Sequence, residues 1–407
     1  MKTRTQGLIS VLASLALAAG MTAGITPTAY ADDNVCDVTI DSDTTPYTDF
    51  GDALNSIQSG DTATITLLSD IDYTSGISID DDTNITLDLN GHTLDVIDDA
   101  GSSNALSIGS GASIHLSDPS NGAFNITATD VWGVYMQSAS AEVSSIKTVS
   151  TDGSDTVGTW MMGNSDLTVY GNVASTAGIS LYVFDYSTLF IHGYIVADPV
   201  SIGFLDDDYD LSSAVDDPDN PGYLLLTDGF AYLWAKKPID LSTITVTIPA
   251  KAWTGKQIKP TSFTYNGVSY PFTDNTSSAT YGTNKNIGKG TVKITGKGMF
   301  AGTKTITFQI VPKTNKISKI AAAKKSMKVT WTKVSSTQKV TGYQVHYRVK
   351  GKTTWKTKTF SAKYSSATIK SLLKGKKYQV QVRSYKTVSK VMYYSAWSAV
   401  KTSAAIK

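Results

Sequence analysis

A short strand followed by a turn, repeated many times, is what most constrains this chain. Ala105 to Ile108 runs through Gly109-Ser110-Gly111 into Ala112 to Leu116, and Val131 to Met136 runs through Gln137 to Ser140 into Ala141 to Val143. The scheme continues: Thr159 to Met162 leads through Gly163-Asn164 into Asp166 to Tyr170, and Leu181 to Phe184 leads through Asp185-Tyr186 into Thr188 to His192. Corresponding strands start about 22 to 28 residues apart, which is the length of one coil in a stacked β-solenoid. One coil cannot bury its own apolar face. Stacked coils share one interior, and pairing between them satisfies the backbone amides and carbonyls. No segment sustains a helical period, so the chain is predicted to be all-β.

Charge divides the chain in two. From Asp32 to Ala235, 32 Asp and Glu142 stand against Lys147 alone; from Lys236 to Lys407, 31 Lys with Arg348 and Arg383 stand against Asp240 and Asp274. The formal net charge of +1 hides this segregation, and so abrupt a switch predicts a domain boundary near Ala235.

The first residues predict export. Lys2 and Arg4 precede an apolar stretch from Leu8 to Gly20 that is too short for a permanent span, and Ala29-Tyr30-Ala31 carries the small residues of a cleavage site. Residues 1–31 are therefore expected to be a signal peptide. No later stretch reads as a membrane span, and the final residues (KTSAAIK) carry no wall-sorting motif. The expected location is secreted, with any wall association non-covalent. Cys36 is the only cysteine, so no internal disulfide forms, and a leftover thiol in an exported chain raises the option of an intermolecular one.

Ala63 to Asp70 and Asn84 to Leu94 read as opening coils, with Asn90-Gly91 suited to a tight turn because both tolerate positive φ. The strings SGDTATITLLSDI and NITLDLNGHTL resemble the right-handed parallel β-helix domain of Gram-positive surface proteins, a relative of the pectate-lyase fold. The resemblance covers about residues 37–199. It implies a lyase or hydrolase option that can be tested on residues. Lyases of that kind resemble one another in using Arg or Lys as the base, with calcium held by acidic side chains. The acidic half contains no Arg, and Lys147 has no cationic neighbours in sequence. The polygalacturonase-like branch would need Gly-His-Gly and Arg-x-Lys motifs, and neither occurs. His92, His115 and His192 read as isolated, structural or surface histidines. Paired aspartates remain available for an inverting glycosidase, which needs carboxylates ~6.5 to 9.5 Å apart. With so many aspartates no pair stands out, and no catalytic residue is assigned.

Asp80-Asp81-Asp82, Asp206 to Asp210, and Asp216-Asp217-Pro218-Asp219 could supply oxygen ligands to Ca²⁺. Their spacing matches no calcium loop, so they read as solvated acidic loops and no metal or cofactor is assigned. Aromatic residues are the better candidates. Trp132, Tyr135, Trp160, Tyr170, Tyr182, Phe184, Tyr186, Phe190 and Tyr194 fall on successive predicted coils, so those pointing outward would stack in a column. Flat rings match the apolar faces of sugars, while Asp and Asn meet hydroxyls. The expected ligand site is Trp132, Tyr135, Trp160, Tyr182 and Tyr186, with Trp132 and Trp160 as the exposed pair in comparable places of consecutive coils. Core filling is the competing reading for any one ring.

Residues 209–238 are expected to be the last coil and its cap. Beyond them, Ile244 to Pro249, Ser262 to Gly267, Gly290 to Gly298 and Thr305 to Ile310 alternate cleanly, as in a small β-sandwich. With Trp253 to Pro260 (WTGKQIKP), this segment resembles bacterial immunoglobulin-like modules, which implies a spacer. The final segment is similar to fibronectin type III domains. Met327 to Trp331 reads as strand B, Gly342 to Arg348 as strand C and Lys377 to Tyr385 as strand F, with Leu372 six residues before Tyr378 as in a tyrosine corner. Trp331, Tyr343 and Tyr378 are expected in the core.

The expectation is thus an all-β chain: signal peptide (1–31), right-handed parallel β-helix (32–237), Ig-like β-sandwich (238–312) and fibronectin type III domain (313–407). Its expected role is an adhesin-like binding protein, not an enzyme. Expected partners are extracellular or cell-wall glycans, or host or matrix surface proteins. Lys without clustered Arg argues against specific nucleic-acid recognition. A polysaccharide-active enzyme and a purely structural surface protein are the alternatives.

Overall fold

The computed structural model describes residues 34–99, 104–197, 199–204, 207–273 and 276–407; the expected signal peptide lies outside them. Residues 62–204 wind into a solenoid in which each coil lays one strand on each of three faces. The first face stacks Thr62–Leu67, Asn84–Asp88, Ser113–Leu116, Ser140–Val143, Asp166–Val169 and Thr188–Ile191, parallel and in register. The second stacks Ile71–Tyr73 through Ile195–Val196, and the third Ile77–Ile79 through Val200–Phe204. Thr62 pairs with Asn84 and Asn84 with Ser113, steps of 22 and 29 residues, so the coil length varies slightly more than the sequence spacing suggests.

Alternation decides which side chains enter. Ile65, Leu87, Ile114, Ala141, Leu167 and Leu189 are buried while their strand neighbours face out. The interior is aliphatic, and each fully buried Leu or Ile contributes about 1.5 to 3 kcal/mol of transfer free energy. Asn90 and Gly91 take φ of 47° and 83° at a corner between faces, the conformation that only Asn, Asp and Gly adopt cheaply.

Both ends of the first face end in short antiparallel strands, which replace the parallel edge of a coil with brief, polar outer strands less apt to pair with another chain. Cys36–Ile40 pairs antiparallel with Thr62–Leu67 and forms a hairpin with Asp43–Tyr47. A short helix, Phe50–Asn55, was not legible in the periodicity; Asp49 caps it by accepting from the Asp52 N–H at 3.0 Å, and Phe50 and Ala53 are buried. At the far end Tyr232–Lys236 adds parallel to Thr188–Ile191, and Tyr223–Thr227 covers it antiparallel. Asp217 locks this end by accepting from Asn220 Nδ2 (2.7 Å), the Asp219 N–H (2.9 Å) and Trp234 Nε1 (2.7 Å). Cys36 is fully buried in the first cap, and burial, reinforced by Asp37 and Asp49, pushes its thiol up to about 11. A neutral, inaccessible thiol does not form the intermolecular disulfide that sequence left open.

Two smaller cores follow. Residues 239–311 bury Leu241, Val246, Ile248, Phe263, Val292, Ile294, Phe300 and Ile310, with Gly288–Gly296 and Thr303–Val311 as the long central pair. Residues 317–402 bury Trp331, Tyr343, Val345, Val380 and Val382 beneath two sheets, Ile317–Ala323 with Ser326–Trp331 and Ser366–Lys370, and Lys356–Ser361 with Gly342–Val349, Tyr378–Val388 and Val391–Tyr394. Tyr378 accepts from the Leu373 N–H at 3.0 Å, the bond of a tyrosine corner. Among the described residues no helix is long and apolar enough to cross a membrane.

Candidate functional site: an aromatic ladder on the third face

On the third face one outward row runs Ser78, Ser107, Tyr135, Trp160, Tyr182, Gly203 across successive coils. Its inward neighbours Val134, Met136, Met161, Leu181 and Val183 are fully buried, so alternation pushes the three rings outward. Small residues close the row at both ends. At Gly203 even a Cβ would lie 2.4 Å from the Tyr182 ring, so the glycine makes room for that ring to lie flat.

Trp132 joins from the start of its strand. Its ring is parallel to Trp160 at 4.7 Å and 6°, and 6.2 Å from Tyr135. Trp160 continues to Tyr182 at 4.8 Å and to Phe184 at 5.6 Å. The ~4.7–4.9 Å rise between paired strands accounts for the Trp160–Tyr182 spacing, because these two are register partners on adjacent coils. All five rings are half-buried. Trp132 and Trp160 are therefore in contact, but not in comparable places: Tyr135 is the register partner of Trp160, and Trp132 aligns with Asn104. Trp132 lies three residues before the register partner of Trp160, so the two rings meet diagonally across adjacent strands.

A cleft of about 410 Å³ opens beside Trp132, lined by Asp130, Asp152, Asp155, Thr151 and Ser154. Asp130 accepts the Thr151 N–H at 2.9 Å and also bonds the Thr151 hydroxyl. Hydrogen bonds from the Ser154 side chain and backbone and from the Ser150 hydroxyl hold Asp152 below the usual carboxylate range. An ionised, already solvated carboxylate accepts hydrogen bonds and has no proton to give near neutral pH.

Tyr186 does not belong to this chain of contacts. It sits at a turn with φ of 65°, is 63% exposed, and meets the edge of Phe230 at 5.5 Å. The remaining rings form a separate group on the first face, so one column becomes two. Tyr170 stacks on His192 (5.4 Å, 2°), Phe190 meets His192 (4.6 Å) and Trp234 (5.8 Å), and Lys236 Nζ lies 5.6 Å from the Tyr194 ring.

The histidines are not isolated. His115 Nε2 lies 3.1 Å from Ser140 Oγ, and its Nδ1 3.8 Å from Glu142; Glu142 in turn accepts the Leu116 N–H (2.8 Å) and the Tyr170 hydroxyl (3.1 Å). His192 Nδ1 is 3.2 Å from the Tyr223 hydroxyl, and burial, then Lys236, lowers its pKa. His92 Nδ1 is 3.5 Å from Asp70. Glu142 is the one glutamate in the chain, and nothing in its sequence context singles it out for this network. Of the acidic clusters, Asp81 accepts the Ser110 N–H at 2.7 Å and Asp216 pairs with Lys237 at 2.6 Å. Among the described residues no three His, Cys, Asp or Glu side chains converge as a metal would need.

Comparison with known proteins adds one assignment. Residues 312–401 match the fibronectin type III domain family. This segment is a fibronectin type III domain. Among curated proteins none matches the chain. A solved structure titled "Myokine structure" is 16% identical, with a TM-score of 0.21, and covers 24% of this chain and 99% of its own length. A solenoid joined to a fibronectin type III domain is consistent with a surface binding or structural protein.

Proposed function

We propose that this chain is an exported, adhesin-like protein that binds without turnover, and that its solenoid presents a carbohydrate through Trp132, Tyr135, Trp160 and Tyr182. The observation that carries this reading is the ladder itself: half-exposed rings at stacking distance on successive coils, beside a cleft lined with carboxylates and hydroxyls. Rings kept partly in water are poor core packing and good sugar platforms. In this reading the β-helix, the Ig-like middle module and the fibronectin type III domain form a surface protein resembling Gram-positive ones, with the two basic modules as stalk or wall-binding base.

A glycan array probed with the full chain, run beside an assay for released reducing ends, tests it. Binding of a defined glycan class, weakened at least ~10-fold by Trp160→Ala and unchanged by Tyr186→Ala, with no reducing ends released, is the expected result; ~10-fold corresponds to about 1.4 kcal/mol, the size of one aromatic stacking contact. Release of reducing ends would move the protein to the polysaccharide-active reading. Silence on both counts favours a structural spacer.

A further inference from the structure

We propose that the charged surfaces of this chain take a second copy of the same chain, the two lying antiparallel so that the acidic pole of each covers the basic pole of the other. The charge segregation of the sequence is also a separation in space. From residue 34 to residue 146 there is no Lys or Arg, and the first hairpin, the helix with its cap and the first coil expose Asp41, Asp43, Asp49, Asp52, Asp72 and Asp80. The middle module follows Tyr232–Lys236, which joins the coils at the other end of the same sheet, so this acidic pole is remote from it.

The basic pole lies at the far end of the fibronectin domain. That domain meets the middle module through Tyr393 and Val388, on the hairpin of Tyr378–Val388 and Val391–Tyr394. Tyr378–Val388 runs 11 residues away from this contact, which puts Tyr378 roughly 35 Å from it. Around Tyr378 two adjoining clefts share Arg348 and Lys352 and gather the exposed Lys350, Lys356, Lys358, Lys370 and Lys376, with no carboxylate in either lining. Among the described residues no hydrogen bond or ion pair joins the solenoid to residues 312–407, and the only ammonium–carboxylate contact between the acidic and basic halves is Lys237 with Asp216 at their seam. Neither pole is neutralised by the other within one chain. Residues 32–235 carry a net charge of 1 − 33 = −32, and residues 236–407 one of 33 − 2 = +31. A polyanion would cover the basic half and leave the aspartates bare, whereas a second copy covers both with charges matched to within one unit. Antiparallel pairing satisfies both poles at once and closes with twofold symmetry; end-to-end stacking leaves a bare pole at each end.

Sedimentation of the full chain across a dilution series, at ~50 mM and at ~500 mM NaCl, tests this, because the range of a charge shrinks from roughly 10 Å at 0.1 M salt to roughly 3 Å at 1 M. The expected result is a dimer at low salt whose dissociation constant rises at least ~10-fold at high salt. Lys352→Gln/Lys356→Gln/Lys358→Gln/Lys370→Gln at one pole, and separately Asp41→Asn/Asp43→Asn/Asp52→Asn at the other, should each weaken the low-salt dimer at least ~10-fold. All seven side chains are exposed, and an unchanged melting temperature checks that the fold is intact. A monomer at both salt concentrations, a dimer indifferent to salt, a mass that grows past two chains with concentration, or a dimer untouched by either set of substitutions would each overturn the proposal.

Discussion

The solenoid and the fibronectin type III domain place their large aromatic side chains on opposite sides of the backbone. Inside the coils the buried layer is Ile, Leu and Val with few rings, and both tryptophans of the third face point outward. In the fibronectin domain Trp331 and Tyr343 are almost fully buried and 5.5 Å apart. Its outward rings are covered by cations: Arg348 lies 4.3 Å from Trp355, and Arg383 lies 3.7 Å from Tyr394 and 4.3 Å from Trp397. A thin, regular coil interior has room for one aliphatic layer, whereas two facing sheets leave a gap that rings fill. The same residue type therefore fills a core in one region and, in the function proposed above, forms a ligand platform in the other.

The contrast can be broken by mutation. Trp331→Ala should cost about 3 to 5 kcal/mol in the unfolding of the fibronectin domain, read by chemical denaturation, because it empties the centre of that core. Leu106→Ala, at a fully buried position of the third face, should cost about 2 to 5 kcal/mol in the solenoid transition and leave the fibronectin transition in place. Trp160→Ala should cost only about 0.5 to 1.5 kcal/mol of stability, the worth of the lost ring contacts, while removing glycan binding. A loss as large as that of Trp331→Ala would mean that the ladder is core after all.

Acidification sharpens the comparison with the smallest effect. His192 in the solenoid is depressed by burial and Lys236, and His346 in the fibronectin domain by burial and Arg383. A histidine whose folded pKa lies below its unfolded value of about 6.5 binds its proton more readily when unfolded. Stability is therefore complete above about pH 6.5 and declines as pH falls from there toward the folded pKa. Melting temperatures measured between pH 7.5 and 5 should fall for both transitions, with His192→Asn flattening only the first and His346→Asn only the second.

Much of the architecture was legible because it is local. The spacing of short apolar runs announced coils, Asn90-Gly91 announced a corner, and the order of Trp331, Tyr343 and Tyr378 announced the fibronectin sandwich. Register was not legible. Which ring meets which depends on how many residues each corner absorbs, and the loop at 150–155 between the two strands leaves Tyr135, not Trp132, as the partner of Trp160. Face was hidden for the same reason: Tyr170 and His192 obey the same alternation as Tyr182 yet belong to another sheet. The polar chain through Glu142 joins residues 26 and 28 positions apart, one coil in each direction, so the repeat length brings these neighbours together but does not say which atoms bond.

The antiparallel strands that seal the first face have a consequence for how such a protein can change. On the first face Ser113, Ser140 and Asp166 share one register, so a coil such as residues 140–165 can be deleted or duplicated in frame with that face still paired strand to strand. Each event would shorten or lengthen the rod by ~4.8 Å, the distance between paired strands, and would remove or add one rung of rings while both ends stayed closed. Reach and valency are thus adjustable in whole steps.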